Sequence, residues 1–481
     1  MKTYRPACRV TLYKARSRTQ ILDGQQASKR LSGVSSIDLT PLLSDEGMAL
    51  NTSKSVNQPA GGWSLELFDK PDATTGETAY ALIEPMDLIE IRLARSPEQY
   101  VAAGSDMPVV MRGVVSRVSR SAVMADGRPS RRVSVSGQDF GKFLQMIQIF
   151  YITGSQLGQN IASSWKWALQ YSDASSTKIK PAADFVSDVL SQVVDPYLMS
   201  IDQLASPVGM GATRLMSIAP DVSIAGLVDP LILQSYQGSI GDLLRMACDV
   251  GPFNELFVED GSSGVSLVVR PIPYGPKGNV TAPPYAVDPT AIKELSVERS
   301  DAGVANLYWV DNDRWLSFFQ NTMKMAAGSG PANTYQQYDA YNSLLSMFGL
   351  RKMEVPTNMA PLGLLAPDSY NDSAFGSDAK TMSGWLTGRR LDLIAQNKDN
   401  VVYECGRMRL RGDEKLRAGT FLTVGAGDQK WECYAVQVDH EFAPFNSFFS
   451  TVHFVRGSGW INRSASSESW YWRELDVSGV K

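Results

Sequence analysis

Four short segments between residues 401 and 457 constrain this chain most, because they read as consecutive antiparallel strands. They are VVYECGRMRLRG, AGTFLTVGAGDQK, WECYAVQVDHEF and FNSFFSTVHFVRG. In the third, Tyr434, Val436, Val438 and His440 are expected on one face, with Ala435, Gln437 and Asp439 on the other. Such a period of two marks a half-buried strand. Residues 425–428 (GAGD) and 444–446 (PFN) supply turn chemistry between segments. Nothing in the block is arranged for catalysis.

A related block occupies residues 61–145. Trp63, Leu65 and Leu67 alternate with Ser64 and Glu66. Further on, Asp87, Ile89, Ile91 and Leu93 share a face opposite Leu88, Glu90, Arg92 and Ala94. VVMRGVVSRVSRS and RRVSVSG flank Asp126-Gly127, a dipeptide suited to a tight hairpin turn. These segments predict a β-barrel or curled sheet built from hairpins.

The rest of the chain is organised around these two blocks. Residues 1–60 read as a basic N-terminal arm with edge strands. Within the first 37 residues Lys2, Arg5, Arg9, Lys14, Arg16, Arg18, Lys29 and Arg30 face the single acid Asp23. They form either a solvated edge or an arm that docks on an acidic surface. Residues 146–290 read as a mixed α+β region. Phe185, Val186, Val189, Leu190, Val193 and Val194 recur at helical spacing. Ser239 is an expected N-cap, with Asp242 at the capping-box position. A hairpin follows, turning near Gly261 and Gly264. Residues 291–460 form the second barrel block, opened by one strand from about Leu295 to Val310. A helical and loop-rich insertion at about 311–400 interrupts it, and a helix from Trp385 to Gln396 leads into the next strand. Residues 461–481 are a C-terminal tail.

Composition excludes several classes. With 43% apolar and 20% charged residues among 481, the chain can bury ordinary cores. A net charge of −4 argues against a surface that grips nucleic acid all over. The longest apolar run, near residues 146–152, is too short to span a membrane. The N-terminus lacks the apolar core of a secretory signal. Cys8, Cys248, Cys405 and Cys433 are scattered without a CxxC pair, which suits free thiols in a reducing compartment. The two histidines, His440 and His453, fall on strands, where a structural role outweighs a ligand role. No HExxH, GxSxG, GxxxxGK[ST] or GxGxxG motif occurs. Asp87 and Asp139 follow strand or turn signals and are expected to brace backbone. No catalytic residue, cofactor or metal site is expected.

Two clusters are candidates for partner contacts. Arg112, Arg117, Arg120, Arg128, Arg131 and Arg132 lie on one predicted hairpin, with only Asp126 as a nearby acid. Such arginines could hold phosphates. In an acidic chain with few aromatics interleaved, pairing with acids of another subunit is the better reading, and it singles out Arg112, Arg117, Arg120, Arg131 and Arg132. In the tail, Trp470, Tyr471 and Trp472 either pack locally or anchor a partner.

At these residues the chain resembles the baseplate hub family of contractile phage tails, of the late-control protein D type. The similarity rests on Ala418-Gly419 before a strand, Tyr434, Val436, Val438 and His440, and the closing FxSTVHFVRG. In the first block it rests on Pro85-Met86-Asp87, Arg112-Gly113-Val114-Val115 and Ser136-Gly137-Gln138-Asp139. GSIGDLLRMACDVG and SVERSDAGVANLYWV resemble the linking segments. The similarity spans about residues 60–457. The long insertion, the basic arm and the aromatic tail have no quotable counterpart.

The resemblance implies a mainly β fold with α+β insertions: two tail-tube-like antiparallel β-barrel domains plus mixed α/β accessory regions. It implies a structural, non-enzymatic baseplate hub of the virion, assembled in the host cytoplasm. A homotrimer would adapt the six-fold tail tube to a three-fold central spike protein. Tail tube protein or a tube initiator, tape-measure protein and baseplate wedge are the further partners, and DNA would cross the channel only transiently. A distal-tail or tail-tip protein of a flexible-tailed phage is the alternative, followed by a carbohydrate-active β-protein.

Overall fold

The computed structural model describes residues 5–13, 36–125, 128–149, 180–199, 216–228, 237–261, 264–274, 284–311, 336–337, 341–361, 372–426, 429–457 and 461–462. It is mainly antiparallel β with helical additions, the expected fold class.

The first unit contains β1 (Ala7–Tyr13), β2 (Ser36–Asp38), β3 (Leu50–Ser55), β4 (Gly62–Phe68), β5 (Leu88–Ala94), β6 (Val109–Ala125) and β7 (Arg128–Asp139). Their spatial order is β3-β4-β7-β6-β5-β1-β2. Alternation along β4 buries Trp63, Leu65 and Leu67, which meet Val10, Leu12, Ile89 and Val135 in one core. The unit therefore begins upstream of residue 61, where the sequence placed only an arm and edge strands. β1 pairs with β5 along its whole length, from Ala7↔Ala94 to Tyr13↔Leu88. The reason is physical: Val10 and Leu12 alternate with polar residues, and their burial outweighs the local positive charge. The basic residues Lys14, Arg16, Arg18, Lys29 and Arg30 lie outside the described residues.

The middle region holds α1 (Gly141–Met146), α2 (Ala182–Val189), α3 (Ile240–Ala247) and the hairpin of β8 (Asn254–Gly261) and β9 (Gly264–Pro271). The expected helical stripe from Phe185 to Val194 is buried and packs on Leu243, Leu244, Leu256 and Leu267. Leu88 joins this core while Ile89 faces the other, so β5 is buried on both faces. Ser239 caps α3: its hydroxyl accepts from the Asp242 amide at 3.0 Å and donates to the Asp242 carboxylate at 2.7 Å.

The second unit contains β10 (Tyr285–Val287), β11 (Ile292–Glu298), β14 (Glu404–Arg411), β15 (Thr420–Ala426), β16 (Gln429–Ala443) and β17 (Ser447–Gly457). Between them come β12 (Leu307–Asp311), β13 (Lys352–Pro356) and the helix α4 (Asp372–Asn397). Two expectations need correction here. The strand predicted over 295–310 is two strands in different sheets. β11 ends at Glu298, a turn closes from the Val304 amide to the Asp301 carbonyl at 3.1 Å, and β12 leaves to pair in parallel with β13. Tyr308 and Val310 then pack on Leu386, Leu393 and Ile394 of α4. The second correction concerns β16, whose register with β17 shifts between Ala435 and Gln437. That bulge interrupts the period of two, so Ala435 and Val438 share a core while Tyr434 faces a different cluster.

The two units repeat one plan. The first runs β3-β4-β7-β6-β5-β1 and the second β11-β14-β17-β16-β15-β10, with the strands in the same chain order. One difference is that β10 pairs parallel to β15, whereas β1 pairs antiparallel to β5. The match extends to irregular features. β6 carries a register shift against β7 between Val115 and Arg117, as β16 does against β17 between Ala435 and Gln437. Before β5, Met86 adopts φ 74° and its amide donates to the Val115 carbonyl at 2.8 Å. Before β15, Gly419 adopts φ 82° and its amide donates to the Ala435 carbonyl at 2.7 Å. Positive φ is uncommon for a non-glycine such as Met86, and the second unit has Gly419 in the same conformation with the same bond to the bulged strand, which extends the repeat.

Gly137 on β7 lies opposite Trp63. A Cβ there would sit 2.2 Å from the Val114 carbonyl oxygen and 2.3 Å from the indole ring. Gly137→Ala is expected to destabilise the first unit by about 1–3 kcal/mol. A lower urea midpoint with an unchanged slope would register it; an unchanged midpoint would contradict the packing described.

Candidate functional site

The feature with functional content is the seam between the units. The C-terminal half of β16 leaves β15 behind and pairs with β3 of the first unit, from Gln437↔Ser55 to Phe442↔Leu50. Backbone bonds extend the ladder at both ends, from the Ala49 amide to the Phe442 carbonyl and from the Val56 amide to the Val436 carbonyl, each 3.0 Å. The two units thus share a single 14-stranded sheet. On its inner side Phe442 and Phe448 enter the first unit's core beside Leu50. Across the ladder, the Gln437 amide donates to the Ser53 hydroxyl at 3.2 Å.

The β8–β9 hairpin ties this seam down with buried charge. Lys54 Nζ lies 2.6 Å from Asp139 Oδ2 and 2.8 Å from Asp260 Oδ2, and donates to the Val258 carbonyl at 3.1 Å. Burial disfavours charge on Lys54, but the two facing carboxylates outweigh it and raise its pKa. Burial also pushes the Asp139 carboxyl up, against the pull of Lys54. Asp139 braces backbone as expected, accepting from the Gly141 amide at 2.9 Å, and Asp87 does so for Glu84 at the same distance. Toward the second unit, the Tyr434 hydroxyl donates to Glu255 at 2.7 Å and accepts from Arg270 at 3.1 Å. Arg270 also donates to the Gly419 carbonyl at 2.6 Å. Burial, and then Glu255, hold Tyr434 well above the usual phenol range, so it acts as a neutral donor.

The units are strutted elsewhere too. Arg417 donates to the Val109 carbonyl at 2.8 Å, and Glu414 accepts from the Tyr100 hydroxyl at 2.6 Å and the Arg95 amide at 2.9 Å. His440 sits at the seam, with Nδ1 2.8 Å from the Ser450 hydroxyl. Burial and the nearby Arg417 charge push its imidazole down to about 3.

The predicted arginines divide by role. Arg112 works inside the chain: it donates to Glu90 at 2.9 Å and to the Gly261 carbonyl at 3.0 Å, while its amide donates to Asp260 at 3.1 Å. Arg120 pairs with Asp69 at 2.7 Å and lies over the Tyr80 ring, and Arg132 pairs with Glu46. Arg117 and Arg131 are exposed and have no ion-pair partner among the described residues. Trp470, Tyr471 and Trp472 lie outside the described residues. Lys54, Glu255, Asp260 and Arg270 were not singled out from the sequence, and Tyr434 was singled out only as a strand-face residue of the hub-like motif, not as a hydrogen-bonding group. For Glu255, Asp260, Arg270 and Tyr434 the one signal is an ionisable or hydroxyl group on a largely apolar strand, while Lys54 stands on a polar one, and in both cases the fold is needed to read it.

Chemically, this arrangement holds surfaces together. Among the described residues no three His, Cys, Asp or Glu side chains converge as a metal site. Burial pushes the thiols of Cys8, Cys248 and Cys433 up, away from the nucleophilic thiolate. No helix among the described residues is long and apolar enough to cross a membrane.

No known family matches the sequence, and no curated protein does. Among solved structures, the fold is similar to that of the tail protein from Neisseria meningitidis MC58, at 11% identity over 95% of this chain and 98% of that one, with a TM-score of 0.48. It is also similar to the 43 kDa tail protein of prophage MuSo2 from Shewanella oneidensis, at 11% identity over 93% and 98% of the two chains, TM-score 0.45. The E. coli c3393 protein, a component of the type VI secretion system, aligns at 6% identity over 85% of this chain and 73% of that one, TM-score 0.38.

Two outcomes are expected from the seam. Lys54→Met strands Asp139 and Asp260 without their cation, and should cost about 3–5 kcal/mol in denaturant unfolding; a loss below about 1 kcal/mol would mean the cluster is not a brace. The second concerns pH. The His440 imidazole takes a proton near 6.5 when unfolded and near 3 when folded. Stability is therefore fully present above pH 6.5 and is lost as pH falls toward 3, by up to about 1.4 kcal/mol per pH unit. His440→Gln should flatten the stability profile between pH 6.5 and 4. Buried carboxylates with raised pKa, such as Asp139 and Glu255, act in the opposite sense but are common to both proteins. Parallel profiles for the two proteins would refute the assignment.

Proposed function

We propose that this chain is a structural, non-enzymatic baseplate hub protein of a phage tail. The observation that carries this reading is the duplicated strand order, joined edge to edge across β3 and β16. A chain with two equivalent units offers six near-equivalent positions when three copies close into a ring. Such a ring suits a six-fold tail tube on one side and a three-fold central spike on the other, with a channel for DNA during ejection. The order of the hub-like motifs along the sequence supports the same reading. The protein would then belong to the tail baseplate of the virion after assembly in the host cytoplasm.

Within this reading Arg117 and Arg131, exposed and without an ion-pair partner among the described residues, are the members of the arginine cluster free for a neighbour. Arg112, Arg120 and Arg132 already serve internal pairs. The Trp470-Tyr471-Trp472 cluster is the proposed anchor for a spike or wedge partner.

Mass photometry tests the ring. Chains of 52.6 kDa are expected to form a trimer, alone or on addition of the candidate spike protein. A monomer at micromolar concentration under both conditions would overturn the proposal. Deleting residues 465–481 is expected to abolish capture of the spike or wedge partner while leaving the trimer intact; unchanged capture would remove the tail from that role.

A further inference from the structure

The seam inside the chain has an unused counterpart. In the six-strand plan that the units share, it joins the fifth strand of the second unit, β16, to the second strand of the first, β3. The same two positions in the other units are β6 and β11. Both are left open. β5 pairs with β6 only as far as Val114, so, among the described residues, 117–122 of β6 pair with β7 alone. β11 ends the 14-stranded sheet, and Glu294 to Glu298 along it are exposed on both faces, with Leu295 at 38% and Val297 at 46%. Apolar side chains on a bare strand edge invite pairing with another chain.

The repeat supplies the register. The shared bulges place Arg117 where β16 has Gln437, Arg120 where it has His440, and Ala122 where it has Phe442. Val118 and Val438 oppose Val135 and Val452, and through β4 and β14 these lead to Leu65 and Met408. Leu65 pairs with Leu50 and Met408 with Leu295, so β11 matches β3 with Leu295 at Leu50, Val297 at Thr52 and Glu298 at Ser53.

We infer that residues 117–122 of β6 pair antiparallel with β11 of a second copy, Arg120 opposite Val297 and Ala122 opposite Leu295. This rests on the reading of the chain as a ring of copies. Side-chain chemistry at the matched positions agrees with it. In the internal seam Gln437 donates to Ser53 across the ladder. At the equivalent pair between copies the residues are Arg117 and Glu298, of opposite charge, and neither has an ion-pair partner among the described residues. The exposed Leu295 occupies the place of the buried Leu50, so pairing would cover it. Leu295 and Val297 on so bare an edge are otherwise unaccounted for. The join is heterologous, since different surfaces meet, and three such joins close a ring.

Disulfide trapping tests this. Ser121 would face Ser296 directly, within the Cα separation a disulfide spans. Two full-length chains, Ser121→Cys and Ser296→Cys, are made with Cys405→Ser, because Cys405 lies beside Glu298. Mixed and oxidised, they should give a covalent dimer, and neither should do so alone. In parallel, Arg117→Glu should weaken assembly at least about tenfold by light scattering, and Arg117→Glu with Glu298→Arg should restore it. A trimer that neither cross-links at this pair nor responds to Arg117→Glu would overturn the inference and leave the ring standing. A chain that stays monomeric would overturn both.

Discussion

Everything in this chain depends on the ladder between β3 and β16. Each unit taken separately would end in an open strand, and an open strand presents unpaired amides and carbonyls. Pairing Leu50–Ser55 with the far half of β16 removes two such edges at once. It also lets Phe442 and Phe448, which belong to the second unit by sequence, fill the first unit's core. The consequence is mechanical. The two units cannot move apart without breaking backbone bonds and opening a core, so they act as one rigid segment of any larger assembly.

Buried charge at the hairpin adds direction to that join. An ion pair removed from water often contributes little net stability, because desolvation offsets the attraction. What it does contribute here is selectivity of arrangement. Lys54 comes from β3, Asp139 from β7 and Asp260 from β8, so all three elements must be in register before any of the three charges is satisfied. The same holds for Tyr434, Glu255 and Arg270, which tie β16 to both strands of the hairpin. A shifted β3–β16 pairing would leave carboxylates buried without a cation, which costs several kcal/mol. Apolar contacts alone would tolerate such a slip more easily.

Much of the fold was legible in the sequence where one residue type repeats at one period. The alternation of Trp63, Leu65 and Leu67, the helical stripe from Phe185 to Val194, and the Ser239 cap all follow from local rules and appear as read. The misreadings occur where a long-range contact overrides the local pattern. Val436 looks in-phase with Tyr434 and Val438, yet a bulge is favoured because β16 must serve β15 with one half and β3 with the other. Likewise 295–310 has strand formers at both ends and reads as one strand, but Asp301 and Gly303 between them allow a turn and α4 offers Tyr308 and Val310 a separate core. The seam itself was illegible. Lys54 stands in an ordinary polar strand, and only its neighbours in space, one of them more than two hundred residues away, give it meaning.

The contrast between the internal seam and the join proposed between copies follows from covalent connection. In the internal seam the partners are on one chain, so their effective concentration is high and no long-range attraction is needed to bring them together. A neutral contact between Gln437 and Ser53 is sufficient there, with the hairpin's buried charges setting the register. A join between separate copies must first find its partner by diffusion and reject wrong ones. Opposite charges on an exposed strand edge serve both needs, since they steer encounter and make like edges repel. Two copies meeting β11 to β11 would bring Glu294 and Glu298 against their counterparts, whereas β6 presents Arg117, which has no ion-pair partner among the described residues. A duplicated architecture can thus keep one backbone plan while changing the side chains at a single pair of positions, neutral where the chain is its own partner and charged where it has to choose one.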